Sequence, residues 1–246
     1  MSPENTELQV SNTANGHHEE HAFGAETVRD IVIGMSDGLT VPFALAAGLS
    51  GAISTTNLII IAGLAEIAAG SIAMGLGGYL AGKTEVDHYY SELKKEYDEV
   101  EKVPEIEKQE IRTFFSSLGL STEVQDQAVE EVIRDKDKWV ELMMKYELGL
   151  EKPDPKRARK SAFNIGFSYI VGGLIPLSPY FFVANGLEGL KISTGITLVC
   201  LFIFGFLKSK FTGVNAWTGA FRVMMIGAIA AGCAFGIARL IQQGHY

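Results

Sequence analysis

From Leu58 to Leu80 the chain reads LIIIAGLAEIAAGSIAMGLGGYL, apolar except for Glu66 and Ser71. About 20 such residues cross a hydrocarbon core as a helix. After Lys83 the composition flips to TEVDHYYSELKKEYDEVEK, and no proline intervenes before Pro104. The pattern predicts one helix over Leu58–Val100 that leaves the membrane and continues into water, about 65 Å long at ~1.5 Å per residue. Its polar half carries Glu92, Glu96 and Glu99 at i, i+4 and i+7, on one face.

Four further apolar runs have spanning length: Thr27–Ser50, Ala162–Ala184, Leu190–Leu207 and Ala216–Ile241. Pro176 and Pro179 break the far end of the Ala162 run. Between the second and third runs lies a polar insert. Val103-Pro104 interrupts the long helix, and Pro104 suits the first position of a new one running to Leu118. Ser121-Thr122-Glu123 restarts a helix that reaches about Leu148, with a break near Asp135–Asp137, before Gly149 and Pro153 end it. The fold expected is all-α: a polytopic membrane protein with five transmembrane helices and a helical cytosolic domain inserted between helices 2 and 3. The corresponding division is a disordered cytosolic tail (1–26), helices 1–2 (27–83), the insert (84–160) and helices 3–5 (161–246).

The 246 residues carry a formal net charge of -8, yet mean hydropathy is +0.17. The charge is concentrated in the tail and the insert. An acidic balance argues against nucleic acid and for metal cations or protons as partners. Cys200 and Cys233 lie in apolar runs and read as packing residues. Met1–Glu20 lacks an apolar core, so no cleavable signal peptide is expected. His17, His18 and His21 read as part of a mobile tail before they read as a metal site. The basic run Lys152, Lys156, Arg157, Arg159 and Lys160 reads as an anchor on lipid headgroups. It falls on the same side as Arg29, Lys83, Lys208 and Lys210, whereas the opposite loops hold only Lys191. The asymmetry predicts a cytosolic N-terminus and insert, and a C-terminus on the far side.

Candidate chemistry starts from acids inside apolar runs. A carboxylate at the bilayer centre costs ~3 kcal/mol on insertion scales and marks a pathway by default. Asp37 and Glu66 are such groups. Pro42 removes the hydrogen bond to the Gly38 carbonyl, so a kink is expected beside Asp37. Met74 stands at i+8 from Glu66, within ~80° of it on a straight helix. Ala62, Ala69, Gly70, Ala73, Gly77 and Gly78 permit close helix approach, within a protomer or between two. In the insert, Glu107 and Glu110 stand at i, i+3, and Met143 and Met144 precede Glu147. Carboxylate oxygens bind divalent cations broadly, and thioethers add preference for iron-like metals over Mg²⁺ and Ca²⁺. Glu85-Val86-Asp87-His88 offers a Glu-x-x-His, but a di-iron enzyme needs a second such motif and none follows. An enzyme is therefore not expected. A membrane-anchored metal sensor or buffer is the rival reading, and the acids in lipid argue against a mere anchor.

DGLTVPFALAAGLSGA, AEIAAGSIAMGLGGYLAGKTEVDHY and LGLEKPDPKRA resemble the plant-type vacuolar iron transporter family, in the members with a cytosolic metal-binding domain. The resemblance runs from about Val28 to the C-terminus. It implies a homodimer in the vacuolar membrane that exchanges cytosolic Fe²⁺ for protons, with no prosthetic group. Mn²⁺, Zn²⁺ or Co²⁺ are further ions for the same sites. The family's intramembrane pathway residues match Asp37, Glu66 and Met74. Its cytosolic metal set matches Glu96, Glu99, Glu107, Glu110, Met143, Met144 and Glu147. The C-terminus would be lumenal.

Overall fold

The structure is a computed structural model that describes residues 21–243. His17, His18 and the side chain of His21 lie outside that description. Eight α-helices follow one another: α1 (His21–Ala52), α2 (Thr56–Lys102), α3 (Pro104–Ser117), α4 (Thr122–Val132), α5 (Lys136–Tyr146), α6 (Arg157–Leu177), α7 (Gly186–Phe211) and α8 (Ala216–Gln243). A 3₁₀ turn, Ser178–Phe181, extends α6. Among the described residues, five helices are long and apolar enough to cross a membrane: α1, α2, α6 with its 3₁₀ turn, α7 and α8. The protein is an all-α membrane protein.

Local sequence sets most boundaries. α2 runs unbroken for 47 residues because nothing before Val103-Pro104 removes a backbone donor. Pro104 then opens α3, where its missing N–H is no loss. Asp135 caps α5 by accepting from the amides of Asp137 and Lys138, at the break expected near Asp135–Asp137. Asn185 caps α7 in the same way through Leu187 and Glu188. α1 begins at His21 rather than Thr27 and continues through Pro42.

α6 is the centre of the bundle, packed between α1 and α2, while α8 covers α1 and α7. Contact with α6 is close enough to require glycine. A Cβ on Gly34 would come 2.2 Å from the Ile165 carbonyl oxygen, and one on Gly75 would come 3.1 Å from that of Ala162. Ala46, Ile59, Ile67, Leu177 and Tyr180 fill the space between α1, α2 and α6. Phe43, Ala47 and Ala231 join α1 to α8. Large apolar side chains such as Ile61, Ile72, Leu76, Val199, Ile203, Ile229 and Leu240 are exposed on the outside. Such a surface suits hydrocarbon, not water. The insert has its own core of Val100, Ile111, Val129, Trp139, Val140, Met143 and Met144.

One expectation is corrected. The basic run before α6 does not serve as a uniform headgroup anchor, because Arg157 is buried, only 4% exposed. Its two terminal nitrogens donate to both oxygens of Asp30 at 2.7 and 3.2 Å, and Glu26 lies 2.9 Å from its Nε. Asp30 is itself buried on α1, so the guanidinium is held where it neutralises a charge removed from water.

Candidate metal and proton sites

Two acidic sites stand on the framework, one within the bundle and one in the insert. In the bundle, α1 presents Asp37 and α2 presents Glu66, both half-buried. The hydrogen bond that Glu66 needs does not come from its own helix. It comes from Tyr169 of α6, which is buried and donates its hydroxyl to Glu66 Oε1. Asp37 also lies within electrostatic reach of that phenol. Glycines make the room: a Cβ on Gly70 would fall 2.5 Å from the Tyr169 ring, and one on Gly38 would fall 2.4 Å from its carbonyl oxygen. Tyr169 therefore holds Glu66 and stands within electrostatic reach of Asp37, acids that sequence spacing leaves on separate helices. The second carboxylate oxygen of Glu66, Oε2, is buried without a hydrogen-bond partner. A buried polar atom in that condition calls for a proton or a cation. Met74 is half-buried on α2, about two turns beyond Glu66.

Sequence reading missed Tyr169. The available signal was a phenol in the middle of an apolar run, since a hydroxyl at that depth needs a polar partner. It also missed the Asp30–Arg157 pair, because a charge near a span end resembles an interfacial anchor.

The insert site forms where three helices meet. Glu96 lies one turn before Val100 on α2, Glu107 one turn before Ile111 on α3, and Glu147 one turn after Met143 at the end of α5. Each of the three core residues is buried, so the apolar stripes that build the insert bring an acid from each helix to the same place. Carboxylate oxygens of Glu96, Glu107 and Glu147 all lie within 4.8 Å of one another, a spacing able to hold one metal ion. Glu96 and Glu107 are 3% and 4% exposed, which is exceptional for unpaired acids. Glu96 Oε2 has no hydrogen-bond partner.

Burial, then repulsion from Glu147, Glu99 and Glu110, pushes the Glu96 carboxyl up to about 7. Burial, then the charges of Glu110, Glu96, Glu147 and Glu99, does the same for Glu107, also to about 7. Glu147 is raised by burial and by Glu110 and Glu99, and it shares a hydrogen bond with Glu110. Five acids thus act on one another as a single negative cluster, three of them close enough to ligate together. Met143 and Met144, each 1% exposed, sit in the hydrophobic core of the insert. Glu85 and His88 do not join such a group: among the described residues, the group of three acid, histidine or cysteine side chains close enough to share an ion is Glu96, Glu107 and Glu147.

The profile of the VIT family matches residues 28–239. The chain is 48% identical over 233 residues to "Vacuolar iron transporter 1" of Oryza sativa subsp. japonica, covering 95% of this chain and 92% of that protein. It is 49% identical over 227 residues to "Vacuolar iron transporter 1" of Arabidopsis thaliana, covering 92% and 91%. "Protein CCC1" of Saccharomyces cerevisiae is 38% identical over 224 residues, covering 87% and 69%.

Proposed function

The chain belongs to the VIT family, and from that premise we propose that it carries Fe²⁺ from the cytosol into the vacuole in exchange for protons. The observation that carries the reading is Glu66: a carboxylate in an apolar span, one oxygen held by Tyr169 and the other buried and unpartnered, with Asp37 of α1 within electrostatic reach of the same phenol. Proton and cation compete for such oxygens, because each neutralises the charge that burial penalises. A site occupied alternately by a metal ion and by protons, and opening in turn to each side, exchanges one for the other. In this reading Met74 serves the pathway as a soft neutral ligand that favours iron-like transition metals over Mg²⁺ and Ca²⁺.

The insert faces the cytosol in this reading and collects metal for the pore. Glu96, Glu99, Glu107, Glu110 and Glu147 raise the local cation concentration, and the three convergent carboxylates hold an ion directly. Zn²⁺, Mn²⁺ and Co²⁺ also fit an oxygen-rich site of this kind. Met143 and Met144 take the role of sulfur donors from the core side. The active unit is a homodimer. The outer face of α2 leaves Ala69, Ala73 and Gly77 exposed, small residues against which a second helix can lie closely. The N-terminus is cytosolic and the C-terminus lumenal.

Sealed proteoliposomes containing the full chain test this. An acidic interior accelerates Fe²⁺ uptake, and uptake alkalinises that interior. Asp37→Asn keeps the size of the side chain but cannot titrate, and it abolishes both. Full-rate uptake by the variant, or uptake indifferent to the pH gradient, refutes the exchange mechanism. Binding of Fe²⁺ without any uptake identifies a sensor or buffer instead.

A further inference from the structure

We propose that the protein carries a built site for a phosphomonoester lipid headgroup on the insert side of the membrane, between α2 and the start of α6. A cavity of about 260 Å³ lies there, lined by Lys83, Lys156 and Arg159 together with Tyr79, Tyr90 and the prolines of the 153–155 linker. That is roughly nine waters' worth of space at ~30 Å³ each, a headgroup's size rather than a single ion's.

Its depth is fixed by the sequence. The apolar part of α2 ends at Leu80 and that of α6 begins at Ala162, so the three cations stand just beyond the hydrocarbon on both helices. The helices touch at this level, since a Cβ on Gly82 would come 2.8 Å from Ala158 Cα. Tyr79 and Tyr90 are exposed on α2, and such side chains favour the headgroup zone, apolar ring inward and hydroxyl outward.

The site is preorganised without a ligand. Asp154 accepts from the Lys156 amide at 2.8 Å and from Lys160 Nζ at 2.6 Å, and its carbonyl accepts the Arg157 amide at 2.8 Å. The buried Arg157–Asp30 pair locks the same turn to α1. Lys156 and Arg159, at i and i+3, are left exposed on a fixed scaffold. Lys83 is partly compensated by Asp87 at 2.6 Å. The remaining positive charge suits a phosphate monoester, which carries roughly -1.5 to -2 at neutral pH. The cations that reach the cavity therefore form a discrete receptor, in place of the diffuse anchor that the basic run suggested.

The test uses the full chain in neutral detergent and a fluorescent short-chain phosphatidylinositol 4-phosphate, read by anisotropy. Saturable binding is expected, with a phosphatidylcholine probe of the same length failing to bind. Lys156→Gln/Arg159→Gln weakens binding by about 25-fold, since each cation near the surface contributes roughly fivefold. Lys208→Gln/Lys210→Gln, which alters basic residues in the last turn of α7, changes it less than about twofold. Lys156, Arg159 and Lys210 are exposed and Lys208 is half-buried, and monodisperse elution of each variant confirms that folding is retained. Absence of binding, equal binding of the neutral probe, or equal loss in both double variants overturns the proposal. Complete displacement by millimolar inorganic phosphate also overturns it, because the ligand would then be a soluble phosphate and not a lipid.

Discussion

Glu96 and Glu107 occupy the position least favourable to a charge, buried and surrounded by other acids. Their carboxyls titrate near 7 in the folded chain and near 4.5 when unfolded. The folded state therefore holds protons that the unfolded state has released between those values. Metal-free stability must fall as pH rises from about 4.5 to about 7, and stay low and level above that. Scanning fluorimetry of the metal-free full chain should show the melting temperature dropping by roughly several degrees over this window. Glu96→Gln/Glu107→Gln should flatten the profile and raise metal-free stability at pH 7.5. The same variant should weaken Zn²⁺ binding, read by calorimetry, by about tenfold or more. A pH profile unchanged by the double substitution would show that these acids are not the titrating pair.

At the scale of elements, α6 holds the bundle together through two kinds of contact. One is backbone proximity. Gly34→Ala would drive a methyl carbon against the Ile165 carbonyl at 2.2 Å, and a backbone oxygen cannot step aside as a side chain can. The expected loss is at least ~1–3 kcal/mol, the usual cost of overpacking. Gly77→Ala meets nothing within 4 Å and should leave the protomer's melting temperature unchanged. Thermal unfolding of both in detergent makes the comparison. The second contact is the buried ion pair between α1 and α6. Arg157→Met strands Asp30 and should cost about 3–5 kcal/mol, whereas Arg157→Met/Asp30→Leu removes both charges and should recover much of the loss. A double variant as unstable as the single one would mean that packing, not charge, is decisive there.

At the scale of the whole molecule, the five candidate spans among the described residues place the two ends on opposite faces of the membrane in the proposed topology. In that topology Arg29, Lys83 and the end of α7 with Lys208 and Lys210 fall on the side of the insert, and lysine and arginine accumulate on the cytosolic side. Tags at Met1 and Tyr246 in sealed, right-side-out vacuoles should differ in protease sensitivity, the first cleaved and the second protected. Equal sensitivity would contradict an odd number of crossings. The long α2 matters at this scale because it joins both acidic sites in one rigid element, Glu66 in the bundle and Glu96 in the insert.

Periodicity and composition by themselves determined the helices, since local chemistry decides where a helix can run. The five apolar runs, the Pro104 break and the emergence of α2 from the membrane follow from transfer cost and backbone donors, which need no knowledge of neighbours. The acids Asp37 and Glu66 stood out for the same reason. Which groups face one another was decided only by tertiary packing. Tyr169 reaches Glu66 across 103 residues because Gly70 and Gly38 admit α6 at that height. Arg157, one of five similar cations in sequence, is singled out by Asp30 across 127 residues. Of the five candidate site glutamates of the insert, three are brought within reach of one ion by where the stripes that include Val100, Ile111 and Met143 converge. A sequence fixes each residue's face on its own helix, but the distance between faces depends on how closely two helices can approach, and that is a property of pairs.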